Sequence, residues 1–282
     1  MLSVLIPIYN QDITHLVKAI QEQMLHLDLQ GQIICLDDAS SIDWKEKNRL
    51  LRQEPLVVYE ELSKNVGRAV IRNCLADRAQ EDFLLFLDGD SKILDLNFIA
   101  TYWGQRSTNA VIVGGRRYPE KCLGNEFMLH YTYGRLREQF AQEFQSNNFL
   151  ISSEIFQKIR FDESLKTYGH EDTVFGFCLL KEGHEIIRIS NPVEHVMLDT
   201  NTQFLEHQVD AVRNLIYIRQ KYPTLKTRLT GLVERLDQWR LSTLYGRVFR
   251  KVQPLLIRNL LGKNPSLTFL DLYKIGTYLM FR

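Results

Sequence analysis

The sequence has few cysteines and no long hydrophobic segment. Its four cysteines, Cys35, Cys74, Cys122 and Cys178, are widely spaced and form no Cys-x-x-Cys pair. We therefore expect neither a disulfide framework nor a zinc site, as is typical of proteins in a reducing compartment. No apolar run approaches the roughly 18 residues of a membrane span. Since the first strand pattern begins at Leu2, we also expect no signal peptide and a cytoplasmic location.

The sequence also lacks a strong net charge. Lys plus Arg total 35 and Asp plus Glu total 34, which gives a net charge of +1 over 282 residues. Nucleic-acid-binding proteins are usually strongly basic, so we expect no nucleic acid as partner. With 45% hydrophobic and 24% charged residues, the composition is that of a globular protein and excludes disordered and collagen-like classes.

Short apolar runs alternate with segments of helical periodicity in the first half of the chain. Four runs have the length and composition of buried strands: Leu2–Ile8, Gln32–Leu36, Leu56–Tyr59 and Phe83–Leu87. This alternation predicts an α/β fold with a mostly parallel sheet flanked by helices. Beyond Thr202 the pattern is helical throughout, and we expect Pro223, Pro254 and Pro265 to separate the helices.

Polar residues follow three of the predicted strands directly. They are Tyr9-Asn10, Asp37-Asp38 and Asp88-Gly89-Asp90. Because ligands of open α/β sheets bind at the carboxyl ends of the strands, we expect these groups to line one cleft. The two carboxylates around Gly89 suit a divalent cation, although Asp and Gly also form simple turns.

Three further patterns are each compatible with a functional and a structural interpretation. Asn65-Val66-Gly67, followed by Arg72, suits phosphate binding at a helix N-terminus, or is a solvated basic face. Glu171-Asp172 provides a general base, or only caps a helix. His195 completes a cation site together with carboxylate and phosphate oxygens, or is structural.

Taken together, these motifs resemble the glycosyltransferase family 2 type, the inverting enzymes of the GT-A fold. The resemblance extends from Ser3 to about Asp199 and depends on six motifs in the family's order. They are Val4-Leu5-Ile6-Pro7-Ile8-Tyr9-Asn10, Asp37-Asp38-Ala39-Ser40, Asn65-Val66-Gly67 with Arg72-Asn73, Asp88-Gly89-Asp90, Gly169-His170-Glu171-Asp172 and Pro192-Val193-Glu194-His195. The expected fold is therefore a GT-A type, Rossmann-like sheet with a helical C-terminal extension. Ala39 departs from the pattern, because a glycine is more usual there, and Ile71 replaces an alanine.

The resemblance implies a role for each matched residue. Asp172 would be the catalytic base, and Glu171 would help to place the acceptor. Asp90 and His195 would hold a divalent cation, Mn²⁺ or Mg²⁺. The residues expected to bind the nucleotide sugar are Pro7, Tyr9, Asn10, Asp37, Asp38, Asn65, Gly67, Arg72, Asp88, Gly89 and Gly115. Among these, Pro7 and Tyr9 would flank the base, and Arg72 would approach the diphosphate.

The expected function is transfer of a sugar from a nucleotide donor, with UDP as the carrier that the resemblance favours. The acceptor would be a glycan or lipid-linked hydroxyl in cell-surface polysaccharide or glycolipid assembly. We expect residues 1–95 to bind the donor, 96–200 to bind the acceptor and carry the base, and 201–282 to form a helical extension. Two alternatives are a phosphohydrolase with an aspartate nucleophile, and a non-catalytic module that binds nucleotide sugars.

The C-terminal segment has an unusual charge. Residues 231–282 contain nine basic and three acidic side chains, although the whole chain is nearly neutral. Apolar residues recur there at helical spacing, as in Leu241, Leu244, Val248 and Val252. Basic amphipathic helices bind anionic membrane surfaces, which predicts peripheral contact with the inner face of the membrane. The alternative is that these helices pack on the catalytic domain or on a second copy of the chain.

Overall fold

The computed structural model describes all residues from Met1 to Arg282 and divides into two compact units. Unit 1 comprises Met1–Pro119, Ala141–Lys166 and Glu171–Met197, and unit 2 comprises Glu120–Phe140, Thr167–His170 and Leu198–Arg282. The strands are β1 (Leu2–Ile8), β2 (Gly31–Asp37), β3 (Val57–Glu61), β4 (Phe83–Leu87), β5 (Ser91–Lys92), β6 (Ala110–Val113), β7 (Arg116–Arg117), β8 (Asn148–Ser152), β9 (Glu185–Arg188) and β10 (Val193–His195). The helices are α1 (Thr14–His26), α2 (Ile42–Asn48), α3 (Arg68–Arg78), α4 (Phe98–Gln105), α5 (Met128–Leu136), α6 (Ser153–Lys158), α7 (Glu171–Lys181), α8 (Asn201–Lys221), α9 (Arg228–Gln238), α10 (Ser242–Leu260) and α11 (Leu267–Phe281).

Unit 1 is built on a seven-stranded sheet in the order β3-β2-β1-β4-β8-β6-β9. Strands β1 to β4 are parallel, and β8 is antiparallel to both of its neighbours, β4 and β6. Only β8 therefore runs against the other six strands. The predicted α/β fold with a mostly parallel sheet and a helical C-terminal region is confirmed.

Alternating side chains of the central strands build one hydrophobic core on each face of this sheet. On one face Val4 and Ile6 of β1 pack with α1 and α4, which contribute residues such as Ile20 and Tyr102. On the other face Leu5 packs with helices α3, α6 and α7. Because both faces are covered, the carboxyl ends of the strands are left to carry the polar loops.

A second, three-stranded sheet in the order β5-β10-β7 follows the carboxyl end of β4. Strand β10 is antiparallel to β5, with His195 opposite Ser91, and parallel to β7, with Val193 opposite Arg116. These strands have only two or three residues, which is too short for a recognisable apolar period. The sequence patterns accordingly do not predict this sheet.

Unit 2 is helical, and α5, α8, α10 and α11 share one hydrophobic core. The prediction that Pro254 ends a helix is wrong, because α10 continues through it to Leu260. Proline in a helix interior typically destabilises by about 3 kcal/mol. Here Phe249 and Leu256, on either side of the exposed Pro254, are both buried in the same core, and this packing keeps the helix continuous.

All four cysteines are free thiols. None of the helices combines the length and the apolar character needed to cross a bilayer.

Candidate active site

The loops after β1 and β2 are joined to each other by hydrogen bonds. The Asn10 N–H donates to Ser40 Oγ, and the Ser41 N–H donates to Asn10 Oδ1, each at 2.8 Å. Asn10 has a φ of 51°, in the left-handed region that asparagine tolerates better than most residues. Pro7 lies within β1, and Tyr9, two residues later, is 57% exposed. An exposed aromatic ring beside a rigid loop is available for stacking.

Asp37 and Asp38 are both buried, and both accept local hydrogen bonds. Asp37 Oδ1 accepts from the Ser40 N–H at 2.7 Å. Asp38 Oδ1 and Oδ2 accept from the backbone N–H groups of Val66 and Gly67 at 2.7 and 3.0 Å. Burial raises the pKa of Asp38, and these two backbone bonds offset part of that rise. Asp38 thus fixes the loop that precedes α3.

Two positions in these loops have left-handed backbone conformations. Ala39 has a φ of 60°, which is costly for a residue with a Cβ atom. Gly67 has a φ of 85° and stands immediately before α3. The exposed Asn65 donates from its side chain to the Asp38 carbonyl at 3.1 Å. The turn that begins α3 is therefore set by Asp38 and Gly67 together.

Arg72 of α3 connects the loop after β4 with the first turn of α7. Its side chain is 4% exposed, and Nη2 donates to Asp88 Oδ1 at 2.6 Å. Nη1 lies 3.9 Å from Glu171 Oε1, and Arg68 Nη1 lies at the same distance from that oxygen. Arg72 Nε is buried without a hydrogen-bond partner. The half-exposed Arg68 and the buried Arg72 therefore form a cationic face at the N-terminal end of α3.

Asp90 and His195 lie next to each other because β10 pairs with β5. The ladder places His195 opposite Ser91, and the Val196 N–H donates to the Asp90 carbonyl at 2.9 Å. Asp90 Oδ2 lies 3.3 Å from His195 Nδ1, whereas Asp90 Oδ1 is buried without a partner. Burial by itself would raise the pKa of Asp90, but His195 and the nearby Arg116 and Arg68 lower it overall. Asp90 is therefore an ionised carboxylate with one oxygen available.

The intervening Gly89 allows this loop to approach β1 closely. A Cβ atom there would lie 2.9 Å from Gln11 Oε1 and 3.2 Å from the Pro7 carbonyl oxygen. A residue with a Cβ atom would require the Gln11 side chain and the Pro7 carbonyl to shift. Asp88, on the other side of Gly89, is bound by Arg72 and lies 3.5 Å from Arg116 Nη2.

The two acidic residues that begin α7 differ in their surroundings. Glu171 is buried beside the two arginines of α3. Asp172 accepts from the Thr173 N–H at 2.7 Å. Burial, together with the charge of Glu171, raises the pKa of Asp172 to about 7, although Thr173 and Arg72 act in the opposite direction. A carboxylate with a pKa near neutrality is suited to accept and release protons.

A polar network at the carboxyl end of β6 is absent from the sequence-based predictions. Asn148 Nδ2 donates to the carbonyl oxygens of Gly115 and Asn191, each at 2.9 Å. The Tyr102 hydroxyl donates to Asn148 Oδ1 at 2.6 Å. Gly115 has a φ of 85°, and Arg116 follows it, pointing a cation towards Asp88. The Gly-Gly-Arg-Arg sequence indicates this loop, but isolated asparagines give no such signal.

The predicted site residues of unit 1 are thus distributed as the strand order requires. Pro7, Tyr9, Asn10, Asp37, Asp38, Asn65 and Gly67 lie around the ends of β1 and β2. Arg72 links Asp88 to Glu171, and the β5–β10 ladder brings Asp90 to His195. Arg68, Arg116 and Asn147 are additional polar residues of this edge of the sheet that the predictions do not include.

Asp90 and His195 are the residues that fit a divalent cation. Carboxylate oxygen and imidazole nitrogen are normal ligands of Mn²⁺, and Asp90 Oδ1 is a buried oxygen without a partner. No group of three or more His, Cys, Asp and Glu side chains is arranged to hold a metal ion. An octahedral ion held by this pair would therefore take its remaining ligands from a substrate and from water.

Comparisons with known proteins identify the type of this chain. The family model for glycosyl transferase family 2 matches residues 3–167. A search of curated proteins finds no match. The solved structures show the same fold in proteins of low sequence identity.

Three of these structures are informative. The mannosyltransferase PcManGT from Pyrobaculum calidifontis, in complex with GDP-Man and Mn²⁺, has a TM-score of 0.57 and 12% identity, with 99% of this chain and 84% of that chain covered. S. aureus TarS 1–349 in complex with UDP-GlcNAc has a TM-score of 0.53 and 16% identity, with 98% and 90% covered. GalNAc-T7 with UDP, GalNAc and Mn²⁺ has a TM-score of 0.50 and 16% identity, with 71% and 43% covered.

Proposed function

The chain belongs to glycosyl transferase family 2, and on that basis we propose that it transfers a hexose from a nucleoside diphosphate sugar to an acceptor hydroxyl with inversion. The observation that carries the proposal is the arrangement around Arg72, which joins Asp88 to Glu171 beside the pair Asp90 and His195. Phosphate-binding cations, a candidate metal pair and a candidate base thus occur at one edge of the sheet. The similar structures include complexes with GDP-Man and Mn²⁺ and with UDP-GlcNAc, which supports this class of donor.

The nucleotide would bind at the ends of β1 and β2. The exposed Tyr9 ring and Pro7 would flank the base. Asp38 can still accept a hydrogen bond from the base or the ribose, because each carboxylate oxygen has two lone pairs and the backbone uses one. Residues 1–95 would thus form the donor half, with UDP as the favoured carrier.

Asp90 and His195 would hold Mn²⁺ or Mg²⁺ against the diphosphate. Bound there, the ion would neutralise negative charge on the leaving group. Arg72 binds Asp88, and Arg68 lies near Glu171, at the same edge of the sheet. The two arginines would add two cationic hydrogen-bond donors. Together these side chains would make the nucleoside diphosphate a better leaving group.

Asp172 would remove the proton from the acceptor hydroxyl as it attacks the anomeric carbon. One base and one displacement invert the configuration at that carbon. A pKa of about 7 allows Asp172 to be ionised at neutral pH and still basic enough to accept a proton. Residues 96–200, which include Asp172, would form the acceptor half, and Glu171 would help to orient the acceptor.

The surroundings of Asp88 argue against the alternative phosphohydrolase reaction. In that reaction Asp88 would be the nucleophile. Its two carboxylate oxygens, however, lie 2.6 Å from Arg72 Nη2 and 3.5 Å from Arg116 Nη2. Two guanidinium groups stabilise the carboxylate and reduce its nucleophilicity. A carboxylate bound in this way is better suited to positioning the arginines.

A screen of nucleotide sugars tests the proposed function. The protein is incubated with each UDP- and GDP-sugar, with and without Mn²⁺, and its melting temperature is measured. A ligand that binds the folded state raises this temperature by mass action. We expect one donor to stabilise the protein in a Mn²⁺-dependent way and to be hydrolysed slowly. Release of phosphate from simple monoesters, without stabilisation by any nucleotide sugar, would contradict the proposal.

We further propose that α10 contacts an anionic membrane surface, where a lipid-linked acceptor would be located. Its sequence contains four basic residues and no acidic residue. Leu244, Val248 and Leu255 are 57%, 50% and 65% exposed. An α-helix turns by about 100° per residue. These three side chains therefore share an arc of about 100° around the helix with three basic residues, Arg247, Lys251 and Arg258. An exposed apolar stripe with flanking cations is typical of helices that lie on lipid headgroups.

Vesicle co-sedimentation tests this contact with the full chain, because deleting α10 would remove part of the core of unit 2. We expect binding to phosphatidylglycerol-containing vesicles at low salt, and loss of binding in Leu244→Ser/Leu255→Ser and in Arg247→Glu/Lys251→Glu. Lys18→Glu, at an exposed site on α1, is the matched control. Binding to no vesicle, or a dimer in light scattering that the Leu244→Ser/Leu255→Ser variant abolishes, would contradict the membrane contact.

A further inference from the structure

Two neighbouring asparagines at the start of β8 are buried in different ways. The polar atoms of Asn148 are all engaged, with Gly115, Asn191 and Tyr102 as partners. Asn147 is equally inaccessible, at 3% exposure, but neither Nδ2 nor Oδ1 has a hydrogen-bond partner. Only its main chain is used, because the Asp88 N–H donates to the Asn147 carbonyl at 3.0 Å.

The strand direction indicates where the Asn147 side chain lies. Side chains alternate along a strand, so Asn147 is on the opposite face from Asn148 and on the same face as Phe149. Phe149 packs against Phe175 of α7, with ring centroids 6.0 Å apart. Since α7 begins one turn before Phe175, at Glu171, Asn147 lies at the sheet edge near the first turn of α7. Alternation therefore puts the carboxamide on the α7 face of the sheet, and the main chain of Asn147 is bonded to the loop of Asp88.

A buried carboxamide without partners destabilises the folded protein, because both polar atoms lose their bonds to water. Such groups are uncommon in native structures, and each needs a specific explanation. A purely structural asparagine would be bonded as Asn148 is. In Asn147, both amide atoms are instead left for a partner from outside the folded chain.

The chemistry of the amide limits what that partner is. Nδ2 donates hydrogen bonds and Oδ1 accepts them, so a complete partner must do both. Phosphate oxygens do not satisfy Oδ1, because a phosphate diester or diphosphate at neutral pH only accepts hydrogen bonds. A sugar hydroxyl group both donates and accepts, and vicinal hydroxyls match both atoms of an amide.

We propose that the Asn147 carboxamide binds hydroxyl groups of the transferred sugar and thereby discriminates among donor sugars. The inference rests on the proposed glycosyl transfer and adds a specificity-determining residue to it. Its position agrees with this role, since the reacting carbon must lie between the diphosphate and the base. Binding of the sugar would satisfy both amide atoms, and a sugar with the wrong hydroxyl configuration would leave one of them unsatisfied.

The test compares the protein's affinities for two ligands. The first is the nucleotide sugar that raises the melting temperature most, and the second is the nucleoside diphosphate part of that nucleotide sugar. Isothermal titration measures both affinities, with Mn²⁺, for the wild type and for Asn147→Ala. We expect about a 10- to 100-fold loss of affinity for the nucleotide sugar, which is typical of losing a buried hydrogen-bonding partner. Affinity for the diphosphate alone should not change.

Two additional measurements separate specificity from folding. We expect the wild type to bind one monodeoxy analogue of the donor sugar weakly. For that analogue, Asn147→Ala should cause no further loss of affinity. The control is Asn148→Ala, which should lower the melting temperature because Tyr102 and Asn191 lose a partner. Asn147→Ala should leave the melting temperature of the free protein unchanged or raise it.

The failures of the two proposals are distinguishable. If the wild type binds no nucleotide sugar, the proposed function fails and this inference fails with it. If the wild type binds the donor, but Asn147→Ala keeps the wild-type ratio between the two affinities, only the inference is overturned. A parallel loss of affinity for the sugar conjugate and the diphosphate would also overturn it.

Discussion

The loops after β2 and β4 both carry aspartates, but they use them differently. Asp38 has both carboxylate oxygens bonded to backbone amides, at 2.7 and 3.0 Å. Asp90 has one oxygen 3.3 Å from an imidazole nitrogen and the other without a partner. The first carboxylate completes its own loop, whereas the second is incomplete within the folded chain. The residue type is the same, so the surroundings of the two carboxylates make the difference.

The same contrast extends to other residues of the site. Asp172, with a pKa raised to about 7, and Asn147, with two unpartnered atoms, resemble Asp90. Asp37 and Asn148 resemble Asp38, because their side chains hold neighbouring segments in place. We therefore expect substitutions in the first group to affect activity more than stability. Substitutions in the second group should affect stability first.

Asp172→Asn should have the largest effect. Loss of the base is expected to reduce transfer by about 10³- to 10⁴-fold, since positioned general bases typically contribute up to this amount. The wild-type rate should rise with pH until about pH 7, because burial raises the pKa of Asp172 to about 7 and only the ionised form accepts a proton. Turnover assays from pH 5 to 9 test this expectation, with the exposed Glu154→Gln as control. Full activity of the variant would exclude Asp172 as the base.

The same substitution should stabilise the protein at high pH. Between the unperturbed pKa of 3.8 and the folded-state pKa of about 7, the folded protein holds a proton that the unfolded chain has lost. The free energy of unfolding from this group therefore decreases as the pH rises through that interval. The asparagine side chain introduced by Asp172→Asn cannot ionise, so the variant should gain melting temperature relative to the wild type between pH 4 and pH 7. A constant difference across this range would contradict the raised pKa.

Asp90→Asn should have the next largest effect. We expect Mn²⁺-dependent transfer to fall by about 10²- to 10³-fold, because metal ions supply several kcal/mol of charge stabilisation. The melting temperature should fall less than in Asp38→Asn, since Asp90 Oδ1 has no partner to lose and only the Oδ2 contact with His195 is weakened. Isothermal titration should also show weaker Mn²⁺ binding in the presence of the nucleoside diphosphate. A large loss of stability with unchanged Mn²⁺ binding would place Asp90 in the same group as Asp38.

Asp38→Asn should show the opposite balance. An amide in this position accepts from only one of the Val66 and Gly67 N–H groups, and it turns a donor towards the other. We expect a loss of about 2 kcal/mol in the free energy of unfolding, as is typical when a buried donor is left unpaired. Urea denaturation measures this loss. If the variant is as stable as the wild type, the contrast between the two loops does not hold.

Ala39→Gly should have the smallest effect and the opposite sign. Ala39 has a φ of 60°, and the left-handed conformation costs an L-residue about 1–2 kcal/mol. Glycine removes this strain but loses more conformational entropy on folding, about 0.5–1 kcal/mol relative to alanine. A net gain of about 0.5 kcal/mol follows from these two contributions. A loss of stability in urea denaturation would show that the Cβ atom of Ala39 has a packing role.

The fold follows from sequence periodicity because the long strands are buried on both faces. The apolar runs that become β1, β2 and β4 have no polar alternation, and each ends at or next to the polar residues of the site. Tertiary packing overrides local signals elsewhere. Pro254 stays inside α10 because Phe249 and Leu256 share a core, and a local pattern contains no information about that contact.

The site is less predictable than the fold, since its chemistry depends on pairs far apart in sequence. The motifs indicate that Arg72 and Asp88 belong to the site, but not that they bind each other at 2.6 Å. Arg116 approaches Asp88 only because β7 pairs with β10. Likewise, the sequence contains two adjacent asparagines, and only the structure distinguishes the bonded Asn148 from Asn147.

The short pairing of β5 with β10 has a consequence for how the protein is made. It joins Ser91 to His195, so the two proposed metal ligands are brought together by residues about a hundred positions apart in the chain. A nascent polypeptide released before β10 emerges from the ribosome would contain Asp90 without its imidazole neighbour. If Asp90 and His195 are the ligands, manganese uptake in the presence of nucleotide would report completion of unit 1. Ion binding would then depend on the folding of the chain as far as β10.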